Sequence, residues 1–154
     1  MTYRKLALAV ALGGLVVNVG CGGSSSSPSP TPAATAAPVT TTVAQAAGAI
    51  NPFASSPVTD FSLASAGTVT AAFRWTFATT DIDIWVLGGT TCNTSNLLGV
   101  PAGSGCTILC SDTRTAAGTS ATCSFAASAG NFRLWATNYT AQNESGTYTI
   151  TVTR

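Results

Sequence analysis

Two aspartates, Asp81 and Asp83, lie two residues apart in the apolar run TTDIDIWVL at positions 79–87. If the intervening isoleucines point into a core, both carboxylates share the outer face of one strand, about 7 Å apart. Inverting glycosidases use carboxyl pairs about 6.5–9.5 Å apart, but those groups flank the bond that is cleaved. Two side chains on one strand face point the same way, so the spacing argues against an acid/base pair.

A calcium site and a purely structural role are the two other interpretations of this aspartate pair. Calcium takes about six to eight oxygen ligands, so Asp81 and Asp83 are weak candidates that need further oxygens. The other acidic side chains of the sequence are Asp60, Asp112 and Glu144. In the structural interpretation, which we favour, an aspartate accepts hydrogen bonds at a strand end or pairs with Arg133 or Arg74 on the outer face. We therefore expect no cofactor and no metal, with calcium kept as the alternative.

The residue types present restrict enzymatic chemistry severely. The sequence contains no histidine, which excludes His-based triads, His-ligated zinc and the usual general base near neutral pH. Lys5 is its one lysine and lies in the N-terminal segment discussed below. We expect a non-catalytic protein without catalytic residues.

Charge is sparse along the whole chain. Charged residues make up 7% of the 154 residues and the formal net charge is +1, whereas globular proteins average about 25% charged residues. Without Arg4 and Lys5, four basic and five acidic side chains remain. No basic patch can form from so few cations, so we expect no nucleic-acid partner.

The N-terminus has the organisation of an export signal. The basic start MTYRK precedes the apolar run LALAVALGGLVV at 6–17, which has the length of a signal-peptide core and is too short to span a membrane comfortably. The following NVGC resembles the cleavage site of bacterial lipoprotein signals. This resemblance implies a signal peptide at 1–20, lipidation of Cys21 and anchoring in the cell envelope, with the outer membrane favoured. The alternative is an ordinary secretory signal that leaves Cys21 as a spare thiol.

The rest of the chain divides by composition into a tether and a domain. Residues 21–50 are rich in Ser, Pro, Thr, Gly and Ala, and such a segment cannot bury a core, so we expect a flexible, disordered linker. From residue 51 to residue 154, runs of alternating apolar and polar residues predict short half-buried strands separated by Gly-containing turns. With no helical stretch, this pattern predicts an all-β fold, an antiparallel β-sandwich.

The four cysteines of this domain occur in its most loop-like part, residues 88–123. An oxidising compartment favours disulfides, and the spacings lack the close pairs of zinc sites. We favour pairing Cys92 with Cys106 and Cys110 with Cys123, although the two other pairings stay open.

The order of several segments resembles the bacterial pre-peptidase C-terminal (PPC-like) domain over residues 58–154. The segments are FSL, AGTVTAAFRW, DIDIWVL, SAGNFRLWATNY and GTYTITV. The resemblance implies a jelly-roll-like β-sandwich that serves as an accessory module of secreted proteins. Some members of that family bind calcium or polymeric substrates.

Strand alternation places two tryptophans and two arginines at outward positions, which together could form a binding face. These residues are Trp85, Trp135, Arg74 and Arg133. Such a face suits a polysaccharide or protein ligand through stacking and cation–π contacts. The alternative is that the long loops cover the tryptophans and make them a second small core.

Taken together, the sequence predicts a lipid-anchored, non-catalytic β-sandwich module of the bacterial surface or periplasm. Its partners are the membrane, through the lipid anchor, and an extracellular polymer or protein that it binds or adheres to. One alternative is a subunit of a surface assembly in which the terminal strand GTYTITVTR, residues 146–154, pairs with a neighbour. A carboxylate-dependent hydrolase is a less favoured alternative.

Overall fold

Eight β-strands make up the regular structure of the described residues. The computed structural model describes residues 35–91, 107–113 and 118–154. The strands are β1 (Thr40–Ile50), β2 (Ala54–Leu63), β3 (Gly67–Trp75), β4 (Ile82–Gly88), β5 (Thr107–Asp112), β6 (Ser120–Ala127), β7 (Gly130–Asn138) and β8 (Glu144–Thr153). Across these ranges, no helix has the length and apolar character that crossing a membrane requires.

The strands form two antiparallel sheets that pack face to face. Sheet A has the strand order β1-β8-β3-β6, and sheet B has the order β2-β7-β4-β5. The predicted all-β, antiparallel β-sandwich is confirmed. β8 pairs with β1 on one side and with β3 on the other. The terminal strand therefore lies inside sheet A with both edges paired, which contradicts the alternative in which this strand pairs with a neighbouring subunit.

The core lies between the sheets and follows the alternation of the sequence. Phe73 of β3, Ile84 of β4, Leu134 of β7 and Ile150 of β8 are all completely buried, as the alternating pattern predicts. Phe77, which shares the parity of Phe73, is instead exposed, because β3 ends at Trp75 and the chain turns there.

The sandwich begins before residue 51. β1 covers residues that composition assigns to the flexible tether, and it pairs with β8 from Thr40↔Thr153 to Ile50↔Glu144. The predicted boundary at residue 50 is therefore wrong for residues 40–50. Ala36–Arg154 forms one compact unit. The predicted signal peptide, the lipidation site Cys21 and the tether up to residue 34 lie outside the described residues.

Two strands, β5 and β6, occupy the cysteine-bearing segment that the sequence analysis treats as loop-like. Cys110 of β5 and Cys123 of β6 form a disulfide with a Cα–Cα distance of 5.7 Å. This confirms one half of the favoured pairing, and the bond joins an edge strand of sheet B to an edge strand of sheet A. Cys92 and Cys106 lie outside the described residues.

A buried carboxylate holds the turn between β3 and β4. Glu144, the first residue of β8, is completely buried. Its Oε2 accepts a hydrogen bond from the backbone N–H of Thr76 at 3.1 Å, and its Oε1 accepts one from the N–H of Phe77 at 3.1 Å. The hydroxyl of Thr80 also donates to Oε1. Glu144 thus ties the chain reversal at residues 76–80 to the start of β8.

Candidate functional site

The aspartate pair lies at the start of β4, beside Tyr139. Ile82 and Ile84 point into the core as predicted, so Asp83 lies on the outer side of sheet B, where it is nevertheless only 7% exposed. The backbone N–H of Tyr139 donates to the carbonyl of Asp81 at 3.0 Å. Burial raises the pKa of Tyr139 above its ordinary value, and the charge of Asp83, a hydrogen bond to Asp83 and the charge of Asp81 raise it further.

The arginines do not pair with this aspartate pair. Arg133 of β7 instead pairs with Asp60 of β2, with Nε–Oδ1 at 2.6 Å and Nη2–Oδ2 at 2.9 Å. The hydrogen bond to Asp60 raises the pKa of Arg133. The two residues are directly opposite in the ladder between β2 and β7, which the sequence could not show without the strand order. Since Asp60 is half exposed, this ion pair contributes only about 0–1 kcal/mol.

The aspartate pair offers part of a calcium coordination shell. One carboxylate oxygen of Asp81, Oδ1, is buried without a hydrogen-bond partner in the described part of the chain. However, the described residues contain no group of three or more His, Cys, Asp or Glu side chains that could hold a metal ion. Two carboxylates fall short of the six to eight oxygens that calcium takes. We expect the melting temperature to be the same in EDTA and in millimolar calcium; a rise with calcium would show a cation site here.

The predicted binding face of two tryptophans and two arginines is not formed. Trp85 and Trp135 are opposite each other in the β4–β7 ladder and are 2% and 3% exposed. With Leu87 they make a small buried cluster outside the main core, and the indole N–H of Trp135 donates to Ser55 Oγ at 2.7 Å. Arg74 belongs to β3 in sheet A. Alternation along a strand indicates which side of a sheet a residue faces, but not which sheet it belongs to.

Among the described residues, the outer face of sheet A has no buried hydroxyl side chain, whereas much of the outer face of sheet B is buried. The outward positions of sheet A are occupied mainly by Thr and Ser, and none of these side chains is buried. We call this surface the hydroxyl face, and its hydroxyl residues are Thr40, Thr42, Thr68, Thr70, Ser120, Thr122, Ser124, Ser145, Thr147, Thr149, Thr151 and Thr153. Two cross-strand hydroxyl contacts order it: Thr40–Thr153 at 2.7 Å and Thr70–Ser124 at 2.8 Å.

Arg74 is the charged residue of this hydroxyl face in the described part of the chain. It lines a shallow depression of about 390 Å³ together with Thr76, Ser145 and Thr147. Arg74 is exposed, and within the described residues its guanidinium forms neither a hydrogen bond nor an ion pair, whereas that of Arg154 donates to backbone carbonyls. A free guanidinium beside hydroxyl groups can donate to oxygen atoms of a ligand.

The hydroxyl face carries a sequence signal that composition alone conceals. Thr occupies every second position of TYTITVT in β8, and TVT in β3 continues the row across the sheet. This alternation predicted the strands, but no ligand-binding role was assigned to the polar residues. A scan of the chain against models of known protein families and a search of curated protein sequences both found no match.

Proposed function

We propose that this chain is a lipid-anchored, non-catalytic binding module of the bacterial cell envelope, which binds an extracellular polysaccharide through the hydroxyl face. The observation that carries the proposal is the exposure of the hydroxyl face with Arg74 at its margin. On the opposite outer face, that of sheet B, Trp85 and Trp135 are buried, so they do not offer the aromatic platform that the sequence suggested. The proposed ligand surface is therefore the outer face of sheet A and not that of sheet B.

The chemistry of the hydroxyl face suits a polymer of hydroxylated sugars. A Thr or Ser hydroxyl both donates and accepts hydrogen bonds, so it can pair with a sugar hydroxyl that accepts and with one that donates. Adjacent strands are about 4.8 Å apart and alternate residues along a strand about 7 Å apart, which gives a regular grid of such groups. Each contact is weak because water competes for it, so binding requires many contacts along an extended ligand.

The absence of a catalytic constellation in the sequence supports the non-catalytic part of the proposal. The chain has no histidine. Glu144 and Asp83, two candidate carboxylates, are buried, and Glu144 is engaged by the turn at residues 76–80. The anchor rests on the N-terminal signal and on Cys21, and its test is the mass of the mature N-terminus. A Cys21→Ser variant should lose acylation and leave the membrane fraction.

A sedimentation assay with insoluble polysaccharides tests the binding role. Soluble Cys21→Ser protein is incubated with cellulose and chitin as neutral probes and with alginate covalently coupled to an inert resin, without calcium, as an acidic probe. We expect binding to at least one polymer, reduced by Arg74→Ala and by Thr147→Glu on the hydroxyl face. The matched control is Ser62→Glu, which adds the same charge at an exposed position of β2 in sheet B.

The variants and polymers for which binding is lost show whether the hydroxyl face is the ligand surface. Equal binding by wild type, Thr147→Glu and Ser62→Glu would exclude the hydroxyl face as the ligand surface. Retention on alginate alone, lost with Arg74→Ala, would identify carboxylates of the polymer as the groups recognised. If no polymer retains the wild-type protein, the polysaccharide proposal is wrong.

A further inference from the structure

β1 is the edge strand of sheet A, and within the described residues it has a strand partner only in β8. Val39 and Arg154 exchange both backbone hydrogen bonds, at 2.8 and 3.0 Å. Hydrogen-bonded and non-hydrogen-bonded pairs alternate along an antiparallel ladder, and a bulge lies between Thr42 and Ala44. From this register, the backbone groups of five β1 residues point away from β8: Thr40, Thr42, Gln45, Ala47 and Ala49.

The other edges of the sandwich carry features that oppose strand addition. β2 contains Pro57 and Asp60 and has a register shift after Pro57. β5 is only six residues long and ends at Asp112. On β6, the outward N–H of Thr122 donates to Asp112 Oδ2 at 2.7 Å, and Cys123 ties this edge to sheet B. Proline, charge, short length and covering contacts are the usual means of blocking a sheet edge.

β1 lacks these blocking features beyond its bulge. Its sequence TTTVAQAAGAI contains no charged residue and no proline, and the regular part after the bulge is QAAGA at 45–49. The small side chains allow close approach of another strand, and a second β1 brings no like charge that would repel it. An uncharged edge of this kind is complementary to itself, as a two-fold symmetric interface requires.

We propose that β1 is a self-association edge, at which a second copy of this chain pairs its own β1 in antiparallel orientation. Two copies of sheet A then form one continuous eight-stranded sheet. The hydroxyl faces of both copies lie on the same side of this sheet, because opposed residues in an antiparallel pair point to the same side. The interaction is carried by backbone hydrogen bonds over a short segment, so it is weak compared with interfaces of standard size.

Cysteine scanning along β1 tests the pairing and its register. Variants with one added cysteine at positions 45 to 49 of the Cys21→Ser chain are oxidised beside the Cys21→Ser parent, and disulfide-linked dimers beyond the parent level are measured on non-reducing gels. At the two-fold axis one residue faces its own copy with a Cα–Cα distance of about 4.5–5.5 Å, which suits a disulfide. A residue two positions from the axis is about 13 Å along the strands from its own copy in the other chain. We expect cross-linking to peak at one position, well above a control cysteine at Ser124 on β6.

A proline variant separates self-association from folding. Ala47→Pro removes an N–H that points away from β8, so the ladder to β8 is retained. Ala126→Pro is the matched control, because Ala126 is exposed on β6 and its N–H points away from β3 on the opposite edge of sheet A. In sedimentation velocity from micromolar to millimolar concentration, we expect a reversible dimer for wild type and for Ala126→Pro. Ala47→Pro should stay monomeric with a melting temperature close to that of Ala126→Pro.

Two results would overturn the proposal. One is a monomer throughout the concentration range together with cross-linking at 45–49 no greater than at Ser124. The other is a dimer that Ala47→Pro and a second edge variant, Gln45→Lys, leave unchanged. Since none of these assays includes a polysaccharide, failure here leaves the proposed ligand binding untouched, and failure of ligand binding leaves the edge pairing untouched.

Discussion

Replacing Glu144 by glutamine should destabilise the fold by about 2–4 kcal/mol. Glu144 is completely buried, and its two oxygens accept hydrogen bonds from the N–H groups of Thr76 and Phe77 and from the hydroxyl of Thr80. Glutamine has nearly the same shape but only one accepting oxygen, so its NH₂ group must face at least one of these donors. A buried donor left unsatisfied costs about 1–3 kcal/mol, and the remaining bonds lose the help of the negative charge.

The experiment compares Glu144→Gln with Thr80→Val, which keeps both backbone N–H bonds and removes only the hydroxyl donor. We expect about 1–2 kcal/mol for Thr80→Val, since one hydrogen bond to a charged group is lost. Urea unfolding followed by tryptophan fluorescence gives both values, and the midpoint for Glu144→Gln should fall by roughly 1–3 M. A Glu144→Gln variant within about 0.5 kcal/mol of wild type would refute the argument that this carboxylate holds the β3–β4 turn.

Three further predictions concern other parts of the sandwich. Gly146→Ala should cost at least about 2 kcal/mol, because the new Cβ would lie 2.2 Å from a carbonyl oxygen of β3; Gly48→Ala, whose Cβ meets nothing closer than 3.5 Å, should change urea stability by less than about 0.5 kcal/mol. Replacing Cys110 and Cys123 by alanine removes a cross-link with a separation of 13 residues and should cost about 3 kcal/mol in the same assay. Tyr139 should ionise above its ordinary pKa in a spectrophotometric titration. The stability that its neutral form contributes is present below the pKa of tyrosine in the unfolded chain and is lost as pH rises through the raised pKa of the folded chain. Tyr139→Phe should therefore lack this loss of stability at alkaline pH.

The central strands could be predicted from the sequence because burial on one face imposes strict alternation. In β3 and β4 inward residues such as Phe73 and Ile84 are large and apolar, and the outward ones of β3 are polar except for Ala72. The same reasoning located the inward residues of β7 and β8. Shifting β3 or β8 by one residue would expose its apolar set, so in these two strands the pattern admits one register.

β1 was not predicted from the sequence because an edge strand can form with few buried side chains. Its side chains are mostly Ala, Gly, Thr and Gln, and of its eleven residues only Ile50 is buried. Its stability comes from the backbone ladder with β8, which leaves no apolar signature in the sequence. The composition of residues 40–50 is therefore compatible with a disordered tether and with an edge strand, and only the presence of a partner strand decides between them.

The proposed ligand surface was hard to predict for a related reason. The threonines of β8 that form the hydroxyl face are the same residues whose alternation with Tyr148, Ile150 and Val152 reveals the strand. A polar residue at every second position is what any solvent-facing strand shows, so one strand says nothing about ligand binding. The information arises only when four strands are placed in order and their outward residues form one continuous, almost uncharged surface. Aromatic residues led the sequence analysis to sheet B instead, because an outward tryptophan was taken as exposed, whereas Trp85 and Trp135 pack against each other and are buried.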